Sequence, residues 1–116
     1  MAYQTASASD VESVVDEEYG GMWFLKEPLE ASELGVSVLE LEPGARGMEH
    51  DESGTSQEEV YVCVDGEATF EIAGDTVTVG ENEAVRVDAE TTRQVFNRGE
   101  ERLRLVIAGA PTSADA

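Results

Sequence analysis

The stretch from Glu58 to Gly80 alternates apolar and polar residues in short runs that are separated by turn signals. It reads EEVYVCVDGEATFEIAGDTVTVG, with breaks at Asp65-Gly66 and Gly74-Asp75. Alternation with a period of two predicts β-strands, and such glycine pairs between alternating runs predict hairpins. No segment has a convincing helical period, and residues 10–18 (DVESVVDEE) favour at most a short piece of helix. The chain is therefore predicted to be all-β.

Further apolar runs extend this pattern over most of the chain. The first, GMWFLKEPL from Gly21 to Leu29, predicts a strand that ends at Pro28. Many short strands with turns between them are typical of a sandwich or a barrel. We expect a barrel over residues 21–110, a flexible acidic arm at 1–20 and a short tail at 111–116.

The charge of the chain is strongly one-sided, with 26 acidic and 7 basic residues and a formal net charge of −19. Such a chain repels nucleic acid and anionic membranes, so neither is an expected partner. The acidic residues are spread along the whole sequence, which favours a folded domain suited to a salt-rich cytoplasm, where ions screen the self-repulsion. An ordinary acidic protein is the alternative. Because the chain also lacks a secretory signal, we expect a cytoplasmic location.

The strand predicted around Tyr61 is apolar on both of its faces. One face includes Cys63, the only cysteine, which we expect to be a buried and unreactive thiol. The other face repeats valine, at Val60, Val62 and Val64. An antiparallel sheet with one solvated face would carry polar residues there. This apolar face must be shielded from water, and the simplest way is for two copies of the chain to form a homodimer.

The segment GARGMEHDESGTSQEEVYVCVDG, residues 44–66, resembles the first metal motif of the cupins. That motif runs from a glycine through two histidines and a glutamate to a second glycine. Gly44 and Gly66 match the glycines, His50 matches the first histidine, and Glu59 matches the glutamate. Glu52 stands where the second histidine belongs, and SGTS after it lengthens the spacing.

The second cupin motif is matched in register rather than in residue type. Its positions fall on Asn82, Asp88, Glu90, Arg93 and Asn97, of which only Asn97 agrees by identity. The chain is thus identified as a small single-domain cupin with degenerate metal motifs, which implies a double-stranded β-helix, or jelly-roll, barrel over residues 22–110. In metal-binding cupins the three histidines and the glutamate hold one divalent ion. Arg93 replaces the last histidine, has no lone pair to give and stays charged.

The resemblance favours a rewired pocket that holds no metal. In it Arg93 and Glu59 form an ion pair, with His50 and Tyr61 beside them, and the ligand is a small anionic or hydroxylated molecule. A different interpretation leaves His50 exposed and idle at the end of a strand, with Tyr61 as an ordinary core residue.

A metal site with other ligands is the main alternative. His50, Glu52, Gln57 and Glu59 would then surround a divalent ion such as Mn, Ni or Zn, with Arg93 turned away. A single imidazole is too little for the usual iron site of an oxygenase.

Three functions are compatible with the motifs. A small-molecule-binding protein with no assigned reaction is favoured. The alternative is an enzyme that resembles the metal-free sugar epimerases of this superfamily, with His50 as the base, Asp51 or Glu52 as its carboxylate, and Tyr61 as the acid. The third is a structural or regulatory dimer with a vestigial pocket.

Overall fold

The computed structural model describes residues 2–112 of the chain. Their regular structure consists of eight β-strands and a short 3-10 turn at Ala8–Asp10. The strands are β1 (Gly20–Phe24), β2 (Gly35–Leu41), β3 (Gln57–Asp65), β4 (Ala68–Ile72), β5 (Asp75–Val79), β6 (Ala84–Val87), β7 (Arg93–Phe96) and β8 (Leu103–Pro111). The all-β prediction is confirmed.

The strands form two antiparallel sheets. The larger has the order β1-β2-β8-β3-β6, and the smaller has the order β5-β4-β7. β8 lies at the centre of the larger sheet because it pairs with β2 on one side and with β3 on the other. This arrangement agrees with the jelly-roll barrel that the motifs predict.

Inward-facing side chains of both sheets make the core. Burial alternates along β8, as a period of two requires when one face is covered. The core residues are mostly aliphatic: Leu39, Leu41, Tyr61, Cys63, Ala68, Phe70, Val79, Val87, Val95, Leu103, Leu105 and Ile107. The rings of Tyr61 and Phe70 meet edge to face, with centroids 5.0 Å apart. Burial raises the pKa of the Cys63 thiol, which fits an unreactive core cysteine.

A tight hairpin joins β4 to β5 where the sequence predicts a break. Ala73 and Gly74 have φ angles of 51° and 87°, and Ile72 pairs with Asp75 across the turn. Two successive residues with positive φ are the mark of a type I′ turn, whose twist matches that of the flanking strands.

Residues 44–52, which connect β2 to β3, run antiparallel to β7. Gly47 N donates to the carbonyl of Val95 at 2.8 Å, and His50 and Arg93 exchange two backbone hydrogen bonds of 3.0 and 2.9 Å. The connection therefore behaves as an added edge of the smaller sheet. It fixes His50 directly beside Arg93, although the two residues are far apart in sequence.

Two local predictions are wrong. β1 ends at Phe24 rather than Pro28, because the chain turns at Leu25, whose carbonyl accepts from Leu29 N at 3.0 Å. Residues 10–18 do not form a helix beyond the end of the 3-10 turn. Instead Val14 N donates to the carbonyl of Met22 at 2.9 Å, so this segment lies along the start of the barrel.

The remaining boundary predictions are only partly covered. Met1 and residues 113–116 of the predicted tail lie outside the described residues, and the flexibility of the arm stays a prediction. Within residues 2–112 no helix has the length and apolar character that crossing a bilayer requires.

The outer face of the larger sheet carries one apolar row across all its strands. Cross-strand neighbours in this row are Trp23, Val38, Val106, Val62 and Ala84. The valines at 62 and 106 are only half-buried. The apolar outward face predicted from β3 is therefore present, and the partner that would cover it stays a prediction.

Candidate functional site

A cavity of about 450 Å³ opens into the barrel. Leu39, Phe70 and Ile107, from three different strands, make an apolar wall. The four side chains that the sequence assigns to a ligand site all line it: His50, Glu59, Tyr61 and Arg93. Its volume falls in the range of about 300–1,000 Å³ that is usual for small-molecule sites.

Glu59 is the centre of the polar side of this cavity. Its Oε1 accepts the hydroxyl proton of Tyr61 at 2.7 Å. The same oxygen lies 3.7 Å from Nε2 of His50 and 3.9 Å from Nη1 of Arg93. Alternation along β3 puts Glu59 and Tyr61 on the inner face, and the connection along β7 brings the other two side chains to them.

Arg93 is a buried cation with unused donors. Its side chain is 1% exposed, and Nη2 donates to the carbonyl of Asp88 at 2.9 Å. Nε and Nη1 find no hydrogen-bond acceptor among the described residues. The Arg93–Glu59 pair is therefore an electrostatic contact without a hydrogen bond. A buried donor without an acceptor costs about 1–3 kcal/mol.

His50 stands at the entrance with one ring nitrogen already engaged. Nδ1 lies 3.1 Å from the carbonyl oxygen of Met48, which can only accept, so this nitrogen carries a proton. In the neutral ring Nε2 is then the acceptor. It lies 3.7 Å from a carboxylate oxygen of Glu52 and 3.7 Å from that of Glu59, and the side chain is 40% exposed.

Tyr61 holds its proton tightly. Burial, followed by the charge of Glu59, raises the pKa of the phenol far above its ordinary value. Its hydroxyl points at Glu59, so it positions this carboxylate. It is not arranged as an acid towards a molecule in the cavity.

The other residues of the alternative metal set are only partly brought together. Glu52 reaches His50. Gln57 lines an adjoining cavity of about 180 Å³ together with Glu52 and Glu59, but His50 does not line that cavity. Asp51 turns to Ser53, whose hydroxyl donates to it at 2.8 Å and lowers the pKa of that carboxyl, so Asp51 does not assist His50.

These donors do not fit a divalent ion. The nearest oxygen of Glu59 already accepts from Tyr61, and the guanidinium of Arg93 offers protons rather than lone pairs at the same place. In the part of the chain from residue 2 to 112, no three or more His, Cys, Asp or Glu side chains are grouped so that they could hold a metal ion.

The residues at the mouth of the cavity were not predicted from the sequence. Val14, Val15 and Tyr19 of the arm line it, together with Met48, which is 83% exposed. The valine pair at 14 and 15 in an otherwise polar arm was the available signal. Arg46 also lines the cavity and is exposed. Nothing in its sequence context separates Arg46 from a surface arginine.

The sequence matches a family model described as "Cupin domain" over residues 37–109. Curated proteins were also compared with the sequence, and none of them matches it.

Solved structures with this architecture include several cupins. A cupin protein from Bacteroides fragilis superposes with a TM-score of 0.79 at 18% identity, covering 98% of this chain and 88% of that one. A predicted oxalate decarboxylase from Thermotoga maritima gives 0.75 at 18% identity, covering 93% and 99%. A cupin-superfamily sugar phosphate isomerase from Silicibacter pomeroyi gives 0.68 at 19% identity, covering 78% of this chain and 59% of that one. At such identities the likeness establishes the fold alone.

Proposed function

We propose that this chain, which belongs to the cupin domain family, binds a small organic molecule in the cavity of its barrel and does so without a metal. The observation that carries the proposal is the position of Arg93. Its buried guanidinium faces Glu59 at 3.9 Å, at the position that resembles the last metal-ligating histidine of the family.

Electrostatics support a metal-free site. Two like unit charges about 4 Å apart repel by roughly 4 kcal/mol at an effective dielectric constant near 20, and a divalent ion is repelled more strongly. Arg93 instead compensates the negative charge of Glu59, which is only 15% exposed. The arginine thus takes over the electrostatic role of an ion at this carboxylate.

The lining of the cavity suits a molecule with an apolar body and one hydrogen-bonding group. Leu39, Phe70 and Ile107 offer apolar surface, and burial of apolar area drives binding. The carboxylate of Glu59 and, in the neutral ring, Nε2 of His50 are acceptors that a hydroxyl of the ligand would satisfy.

A titration with 1-hexanol, followed by amide and imidazole resonances, tests this function. We expect saturable shifts at His50, Tyr61 and Ile107. Ile107→Phe fills the cavity and should weaken binding, whereas Val106→Phe, on the opposite face of β8, should not. Shifts confined to the outer face of the larger sheet would refute binding in the barrel.

A proton-transferring isomerase is the second candidate function. The observation in its favour is Nε2 of His50, which lies at the cavity entrance 3.7 Å from a carboxylate oxygen of Glu52 and 3.7 Å from one of Glu59. Incubation with fructose 6-phosphate in deuterated water would then label the sugar next to its carbonyl, and His50→Gln would abolish the labelling. Absence of label removes this candidate and leaves the binding proposal intact.

A further inference from the structure

We propose that the ligand of this cavity is an amphipathic carboxylate, with its apolar body inside the barrel and its anionic group at the mouth against Arg46. The inference rests on the binding function proposed above and adds the chemical class of the ligand. Two independent observations carry it: Arg46 has no ion-pair partner among residues 2–112, and the side chains around the cavity opening are apolar and exposed.

Arg46 is exceptional among the arginines of this acidic chain. The others each lie within 4 Å of a carboxylate: Arg86, Arg93, Arg98, Arg102 and Arg104. Arg46 makes no such ion pair and no side-chain hydrogen bond with any residue from 2 to 112, although the chain has 26 acidic residues. Its backbone is fixed by a bridge to Phe96. An exposed guanidinium that the chain leaves unpaired at a cavity is suited to a ligand carboxylate.

The rim of the cavity gathers exposed apolar side chains. Val14 is 63% exposed, Tyr19 50%, Phe24 51% and Met48 83%, and all four line this one opening. Single exposed apolar residues are ordinary on any surface, but a cluster around a cavity marks a binding site. The rim continues the apolar wall outward, so it suits a body longer than the interior alone would hold.

The carboxylate of the ligand points outward for electrostatic reasons. Two arginines line the cavity, but Arg93 is 1% exposed and already faces Glu59. A second carboxylate beside Arg93 would meet the negative charge of Glu59. Arg46 is exposed, so it is the accessible cation of the two.

Calorimetric titration with straight-chain carboxylates and the alcohols of equal length tests this class of ligand. At about 1 M potassium chloride the Debye length is about 3 Å, so the charge of distant residues is screened. We expect each added methylene to tighten binding about fourfold until the cavity and rim are filled. Arg46→Gln should weaken carboxylate binding about tenfold, the lower end for a hydrogen bond to a charged group because Arg46 is exposed, and leave alcohol binding unchanged.

Arg86→Gln is the matched control. It removes the same charge from an exposed arginine that does not line the cavity, so it should change neither affinity. If Arg46→Gln leaves carboxylate affinity unchanged, or if Arg86→Gln lowers it equally, the assigned class is wrong while binding of the alcohols upholds the binding function. If neither acids nor alcohols bind at any length, the binding function itself is refuted with it.

Discussion

The hydroxyl of Tyr61 donates to Oε1 of Glu59 at 2.7 Å, from two residues further along the inner face of β3. The same oxygen faces His50 at 3.7 Å and Arg93 at 3.9 Å. One carboxylate thus accepts a hydrogen bond from a phenol and lies within 4 Å of an imidazole and a guanidinium. The charge of Glu59 therefore affects all three of these side chains on the polar side of the cavity.

Tyr61 should make the fold sensitive to alkaline pH. Its pKa is raised above the ordinary value of 10.0, so the folded chain keeps a proton that the unfolded chain releases. This contribution to stability is complete below pH 10 and is lost as the pH rises towards the folded pKa, by about 1.4 kcal/mol per pH unit. The free-energy difference of unfolding between wild type and Tyr61→Phe should therefore shrink at that slope. Denaturant melts from about pH 9 to about pH 11.5 would measure it.

The exposed Tyr3 supplies the control for this experiment, since Tyr3→Phe should follow the wild type at every pH. If the free energies of unfolding of wild type and Tyr61→Phe change in parallel with pH, the phenol ionises as easily in the folded chain as in the unfolded one, and the prediction is wrong.

Removing the charge of Glu59 should destabilise the fold. Glu59→Gln leaves the buried guanidinium of Arg93 without a counter-charge, and we expect a loss of about 3 kcal/mol, the lower end for breaking a buried ion pair, because Glu59 keeps some exposure. Adding Arg93→Met to this variant should recover part of the loss, because no buried charge then remains. Glu58→Gln, a neighbour with no ion pair among residues 2–112, is the matched control. Equal stability of Glu59→Gln and Glu58→Gln would contradict the proposed role of the pair.

The inner placement of the site was predictable from sequence because strand alternation is a local property. A period of two fixes Glu59 and Tyr61 on one face whatever the rest of the chain does. The match of motif register with the cupins predicted that His50 and Arg93 would meet, which backbone pairing along β7 now explains.

The mouth was not predictable because it depends on contacts between distant segments. The arm is held at the cavity by contacts such as the hydrogen bond from Val14 N to the carbonyl of Met22, and no periodicity records such contacts. The end of β1 was misplaced for a related reason. Hydrogen bonds within the following loop fix the turn at Leu25. They end the strand inside a segment whose apolar residues predict that it continues.

The chain should form a homodimer through the outer face of the larger sheet. The apolar row centred on Val62 and Val106 contains no charged residue, and burial of this row would stabilise a symmetric pair. Val62→Glu should give monomers in light scattering at about 1 M salt, where repulsion between subunits is screened. Thr78→Glu, exposed on the smaller sheet, should leave the dimer intact. A monomeric wild type in high salt would refute this.

Stability should rise with salt. A formal charge of −19 on 116 residues opposes the compact state, and ions relieve that repulsion. The melting temperature should increase from about 0.1 M to about 1 M potassium chloride, as the Debye length falls from roughly 10 Å to 3 Å. A melting temperature that does not change with salt would contradict the interpretation of a surface adapted to salt and would indicate an ordinary acidic protein.

Replacing Arg93 should turn the pocket into a metal site. The wild type, purified without an affinity tag, should contain well under one metal per chain in elemental analysis. Arg93→His removes the competing cation and adds an imidazole near His50 and Glu59, so this variant should gain affinity for Mn, Ni or Zn. Arg86→His, on an exposed strand position, is the control that should gain none.

A stoichiometric metal in the wild type would show the electrostatic argument to be wrong, with Glu52 or water completing the shell. If neither protein binds metal, the hydrogen bond from Tyr61 and the longer spacing after Glu52 hold the donors too far apart, and the site has been lost rather than rewired.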